Sequence, residues 1–297
     1  MAYAAANMKR ILFALREDWI DPVRERLDHA RYEASFRDFH EKPVFAYYDC
    51  IVPLHLKDYL PLWDCRWGAE CLIPSKPVVA VTNDKPSFMR FLRDNGFAEL
   101  APYILDDDVR YPFIYKKRKD IAGINSHVIA TAEARAEFET RIVPEQYFKQ
   151  EYVGGRTEYT THFLAVNGRS SFDSTVEFTF DCDPYVRGIR CSPAETRKIE
   201  TPCREILHRI LHALNYTGTC CFNYKLVGGI PKIFELNPRA GGSLRMDINP
   251  YLDAYVAALE ARHTMASLWL HRVRRRVATP SPPRDGAAAA AAEERTA

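Results

Sequence analysis

Two patterns of apolar spacing alternate along the chain. Short runs rich in β-branched and aromatic residues read as strands, and segments with apolar residues three and four apart read as helices. Lys9 to Leu15 reads as a buried strand. Asp21-Pro22 then supplies a cap and a first-turn proline for a helix through about His40. Val44 to Val52 is the next strand, Leu54 to Trp63 is helical, and Val78 to Thr82 is a third short strand. Strands alternating with helices in this way predict a small parallel α/β unit.

Asn83-Asp84-Lys85-Pro86 opens a helix that runs to about Asn95 and stops at Gly96. Tyr111 to Lys116 is a strand ending in lysine, and Thr131-Ala132-Glu133 begins an amphipathic helix to about Arg141. Tyr147 to Val153 is extended. Glu158 to Val166 and Ser170 to Phe180 form a hairpin around Asn167-Gly168. Ser192 to about Glu200 reads as a polar helix, and Pro202 starts another with Ile206, Leu207, Ile210, Leu211 and Leu214 on one face. His208 and His212 flank that stripe without a third ligand, which makes them a half-exposed helix face rather than a metal site.

Cys220 to Val227 and Lys232 to Leu236 form a second hairpin around Gly228-Gly229. Glu235, Asn237 and Arg239 alternate, so they leave the strand on one face, with Phe234, Leu236 and Pro238 on the other. Asn223 falls opposite them on the partner strand. Carboxylate and amide oxygens suit Mg²⁺, which is commonly held by one or two carboxylates and substrate phosphates. Arg239 adds a grip on phosphate. Taken alone, the hairpin is equally an exposed face that happens to be polar.

Composition narrows the classes. A chain of 297 residues with 47% hydrophobic and 27% charged residues is long and apolar enough for one composite domain or two small ones. A net charge of +2 gives no argument for nucleic acid or a membrane surface. No apolar run reaches membrane-spanning length, and the charges inside MAYAAANMKRILFAL oppose a signal peptide. The eight cysteines show no C-x-x-C spacing and read as reduced core thiols of a cytoplasmic protein. Asn249-Pro250 opens a helix, Arg272, Arg274, Arg275 and Arg276 read as a surface helix end, and Thr279 onward is low-complexity.

FELNPRAGGS, within the second hairpin, closely resembles the E-x-N-P-R segment of the ATP-grasp superfamily, of the carboxylate-amine ligase type. Three further stretches follow the family's order: TNDKPSFMRFLRDNGF resembles its D-K segment, YPFIYK its phosphate-reaching strand, and YFKQEYV the hinge between its lobes. The resemblance spans about residues 9 to 262. It implies a mixed α+β and α/β ATP-grasp fold: a parallel α/β subdomain over 1–82 and an ATP-grasp domain over 83–278. Lobes 83–149 and 150–278 would enclose the nucleotide, and 279–297 would be a disordered tail.

By the same resemblance the cofactors are ATP and Mg²⁺. Lys85, Lys116 and Ser126 would meet phosphate, Gln150, Glu151, Tyr152 and Val153 the adenine, and Glu158 the ribose. Asn223, Glu235 and Asn237 would hold two magnesium ions, Lys116 and Arg239 would supply catalytic charge, and Gly242 and Ser243 would face the second substrate. Three departures stand out. Asn223 occupies a position usually acidic in the family, Cys221 one that is arginine in some ligases, and the loop after Lys116 carries only Gly123. The implied reaction joins a carboxylate to an amine, or less often a thiol, through an acyl phosphate, with release of ADP and phosphate. The implied partners are small molecules such as amino acids or a peptide terminus, with no nucleic acid or membrane, and a homodimer is the common state. The departures leave two alternatives open: a nucleotide-binding protein without ligase activity, and a phosphotransferase.

Overall fold

The computed structural model describes residues 8–64, 70–106, 109–120, 123–188 and 191–278, with side chains to 264. The low-complexity tail, Cys65 and the side chains of the Arg272–Arg276 run lie outside the described set. The chain forms two compact units, Met1–Leu259 and Glu260–Ala297. The second contains the distal part of the last helix, and the first carries all three sheets.

The chain opens with β1 (Lys9–Ala14), α1 (Glu17–Arg26), β2 (Tyr32–Arg37), β3 (Cys50–Val52), α2 (Tyr59–Asp64) and α3 (Lys76–Thr82). The strands form a parallel sheet in the order β2-β1-β3. Several elements differ from expectation. The first helix starts at Glu17, whose charge and that of Asp18 favour a helix N-terminus, so Asp21 and Pro22 fall inside it. It ends at Arg26 rather than His40. Tyr32, Ala34 and Phe36 then alternate as β2, with Phe36 stacked on Phe13 at 5.2 Å. Of Val44 to Val52 only Cys50–Val52 is a strand, since Phe45–Tyr47 coils into a 3₁₀ turn. Val78 to Thr82 belongs to helix α3: Pro77 suits its first turn, and the Thr82 hydroxyl donates to the Val78 carbonyl at 2.8 Å.

Next come α4 (Lys85–Asp94), β4 (Ile104–Leu105), β5 (Phe113–Lys117), β6 (Ser126–Ile129), α5 (Ala132–Glu139) and β7 (Tyr147–Glu151). Asp84 caps α4 by accepting from the Ser87 amide at 3.1 Å. The four strands make an antiparallel sheet ordered β4-β7-β5-β6. The remainder is β8 (Thr157–Val166), β9 (Arg169–Thr179), β10 (Glu195–Ile199), α6 (Arg204–Ala213), β11 (Gly218–Val227), β12 (Ile230–Asn237) and α7 (Ile248–Ala278). Its strands form an antiparallel sheet ordered β10-β9-β8-β11-β12. The segment expected as a polar helix after Ser192 is therefore edge strand β10. Its exposed, charged side chains carry no apolar period, and Arg197 pairs across the edge with Glu177 at 2.5 Å.

Burial divides into three clusters. The parallel sheet packs against the first turns of α7 through Tyr251, Leu252 and Tyr255. Helices α4 and α6 cover β8, β11 and β12, while Phe113, Tyr115 and Ile129 form a separate small core. Hydroxyls tie the layers together: Tyr59 donates to the Pro238 carbonyl at 2.7 Å, and Tyr255 to that of Ile51 at 2.9 Å. Cys50, Cys71, Cys220 and Cys221 are buried thiols, but Cys182 is exposed and Cys191 and Cys203 are half-buried, so the cysteines are not all core residues. No helix among the described residues is long and apolar enough to cross a membrane.

The β8–β9 turn has positive φ at Asn167 (50°) and Gly168 (77°), and a Cβ on Gly168 would lie 2.7 Å from the His212 Cα. Gly168→Ala is expected to destabilise the fold by about 1–3 kcal/mol through strain and this clash. Chemical denaturation measures the loss.

Candidate functional site

The β11–β12 pairing sets Asn223 opposite Glu235 and Cys221 opposite Asn237. A bulge beside Asn223 shifts the register, leaving Phe234 outside the pairing. The extra residue lets Phe234 and Glu235, neighbours in sequence, line the same cleft, while Leu236 enters the core. Phe234 therefore does not share the face of Leu236, as strict alternation predicts. The ring it presents sits 4.8 Å from the Lys116 ammonium.

The cleft has a volume of about 690 Å³. Lys85 enters from the start of α4, Lys116 from β5 and Ser126 from β6. Gln150, Glu151, Tyr152 and Val153 come from β7 and the residues just after it, and Glu158 from β8. Asn223, Glu235 and Asn237 face it from the second hairpin, with Arg239, Gly242 and Ser243 beyond. Every residue assigned to the site from the sequence lines this one cleft.

Glu235 is the electrostatic centre. Burial alone raises a carboxyl pKa, but the charges of Lys85 and Lys116 and hydrogen bonds from Asn237 and Asn223 reverse that and hold it well below the usual range. Lys85 Nζ lies 3.2 Å from Glu235 Oε2, while Asn223 and Asn237 donate to Oε1 at 2.8 and 2.9 Å. Arg239 Nη2 reaches Asn237 Oδ1 at 3.3 Å. Desolvation pulls the Lys116 pKa down to about 8, with Glu235 opposing and Lys85 adding to the fall.

Several groups in the cleft, or in contact with its lining, were missed by sequence reasoning. Arg187, in the irregular segment after β9, pairs with Glu158 at 3.1 Å and reaches Asn223 Oδ1 at 3.0 Å. No periodicity points to it. Lys225, two positions beyond Asn223 on the same strand face, was legible by alternation. It donates to the Val153 carbonyl at 2.9 Å, 4.3 Å from the Tyr185 ring centre. His162 is buried, its pKa drawn down to about 3 by desolvation, and its Nε2 hydrogen-bonds the Ser243 hydroxyl at 2.7 Å. A Cβ on Gly241 would lie 2.7 Å from that ring, so glycine is needed there for space.

Two observations bear on ligands. Gln150 Nε2 and the Tyr185 hydroxyl are buried in the cleft wall without hydrogen-bond partners in the protein. A polar group so placed calls for a ligand or solvent atom. Glu235 and Asn237 present the oxygen types that magnesium takes, one carboxylate and one amide. Among the described residues no three His, Cys, Asp or Glu side chains group as a metal site, so a cation here would complete its shell with ligand or water oxygens.

No protein-family profile and no curated protein matches the sequence. Solved structures do. D-alanine–D-alanine ligase from Bacillus anthracis aligns over 87% of this chain and 99% of its own, at 14% identity and a TM-score of 0.61. The same enzyme complexed with ATP aligns over 86% and 99%, at 12% identity and 0.56. Phosphoribosylamine–glycine ligase from Thermotoga maritima aligns over 83% and 75%, at 14% identity and 0.61. Identities this low establish architecture alone, and that architecture is the ATP-grasp fold.

Proposed function

We propose that the protein is an ATP-dependent ligase that joins a carboxylate to an amine through an acyl phosphate. The observation that carries this reading is the convergence of Lys85, Lys116, Glu235, Asn237 and Arg239 on one cleft of an ATP-grasp fold. A carboxylate oxygen attacks the γ-phosphorus of ATP as its bond to ADP breaks. The amine nitrogen then adds to the carbonyl carbon, losing a proton as phosphate leaves. Lys85, Lys116 and Arg239 offset charge on the transferred phosphoryl group. Glu235 and Asn237 would hold magnesium, which when bound supplies Lewis-acid charge at phosphate oxygens. Gln150 Nε2, buried without a protein partner, offers a donor to the base.

The acid is assigned to the turn at Gly241–Ser243. Arg239 and Arg245 flank it in sequence, and Arg16 Nη2 lies 3.8 Å from where a Gly242 Cβ would sit. Arg16 and Arg245 share the carboxylate of Asp18, at 2.9 and 3.5 Å, which leaves the three guanidiniums in positive excess. That suits a substrate carboxylate.

Three outcomes follow. In an ADP-release screen of amino acids and dicarboxylic acids, with ammonium or an amino acid as amine, wild type forms ADP in proportion to amide, and Glu235→Ala abolishes both. ADP without amide selects a phosphotransferase, and ATP binding without ADP selects a nucleotide-binding protein. Arg16→Gln is expected to raise KM for the acid about tenfold at unchanged KM for ATP, the loss of a charge-assisted hydrogen bond of about 1.5 kcal/mol.

The third concerns pH. With the Lys116 pKa near 8 rather than 10.5, the unfolded chain holds a proton in this interval that the folded one has released. Its contribution to stability therefore rises as pH climbs through the interval. Phosphate affinity moves the opposite way as the ammonium is lost. Calorimetric ATP titration should show affinity about tenfold weaker at pH 9.5 than at pH 7. Lys116→Arg, charged throughout, should flatten that profile.

A further inference from the structure

Arg187 is wired into the corner of the cleft where a metal ligand was expected. Its Nε lies 3.1 Å from Glu158 Oε1, its Nη1 donates to Thr160 Oγ1 at 2.8 Å, and its Nη2 to Asn223 Oδ1 at 3.0 Å. The guanidinium also lies over the Phe178 ring at 4.5 Å, and its side chain is only 22% exposed. A guanidinium has donors and no acceptor, and it stays charged at any working pH.

These contacts fix the orientation of the Asn223 amide. Its oxygen must face the donors Arg187 and Thr160, the latter at 2.7 Å, which leaves its NH₂ to face Glu235 Oε1 at 2.8 Å. A flipped amide would set NH₂ against the guanidinium and oxygen against the carboxylate. Both lone pairs of the Asn223 oxygen are thereby taken by donors, whereas Asn237, whose NH₂ also faces Glu235 Oε1, accepts through its oxygen from Arg239 at 3.3 Å and keeps the other lone pair for a metal. Charge points the same way. An aspartate with a divalent cation carries a net +1, and so does a neutral asparagine with an arginine. The departure at Asn223 and the placement of Arg187 are then two halves of one change.

We propose that Arg187 replaces a second magnesium ion at the Asn223 corner, so that this centre works with a single metal held by Glu235 and Asn237. The inference rests on the ATP-dependent reading above, and it changes the number of metals the nucleotide brings. The guanidinium remains in place at any magnesium concentration, whereas a second metal would have to be recruited with each nucleotide.

The test counts metal directly. Full-length protein is saturated with the β,γ-imido analogue of ATP and titrated with Mn²⁺, with bound ion read by electron paramagnetic resonance and nucleotide binding by calorimetry. One Mn²⁺ per bound nucleotide is expected in wild type, and two in the Arg187→Gln, Asn223→Asp double variant. Two in wild type, or one in a folded double variant that binds the nucleotide, overturns the proposal. If the double variant does not fold, the wild-type count decides alone. An analogue that fails to bind wild type at any Mn²⁺ concentration removes the nucleotide reading and this inference with it, a result distinct from a count of two.

Discussion

A carboxylate withdrawn from bulk water must be met by charge or by hydrogen bonds, and Glu235 is met by both. Two lysines and two side-chain amides converge on it from four elements: Lys85 at the start of α4, Lys116 on β5, Asn223 on β11 and Asn237 beside it on β12. Removing any one leaves the others with an imperfectly answered charge, and such a group costs far more buried than exposed. These interactions lie across the second hairpin and between the small sheet and the large one. The same cations that steady Glu235 line the cleft, so its charge is set by the fold itself.

The bulge beside Asn223 serves that arrangement. Regular alternation gives a strand one side chain in two toward a cleft, too sparse for a charge and its supporting surface to stand side by side. By absorbing one residue, β12 places the ring of Phe234 under Lys116 and the carboxylate of Glu235 beside it. A lysine held between a π-face and a carboxylate has fewer positions to sample than one on an open strand.

Much of this was legible, and the failures have physical causes. Strongly apolar strands next to glycine turns, such as β8–β9 and β11–β12, announce themselves, and the spacing from Asn223 to Glu235 survives folding intact. Tyr32 and Phe36 stand four apart as well as in alternation, so β2 satisfies either period, and only pairing with β1 decides. The β-branched run Val78 to Thr82 favours a strand locally, but Pro77 and the covering position over β12 make it a helix. Edge strand β10 buries almost nothing and so has no pattern to find. Arg187 comes from irregular chain, where side-chain direction follows from no repeat. The bulge was invisible because nothing in the residues around Phe234 marks one.

The hydroxyl of Tyr59 holds the carbonyl of Pro238, between Asn237 and Arg239, to the N-terminal layer. That bond and the packing of Ala240 and Leu244 into the core of the parallel sheet seat the segment after Glu235 on the N-terminal layer. Lys116 rides on a sheet whose core, Phe113, Tyr115 and Ile129, is its own. The ammonium and the carboxylate that balance each other are thus carried by differently packed layers, and the cleft is the seam at which the two meet.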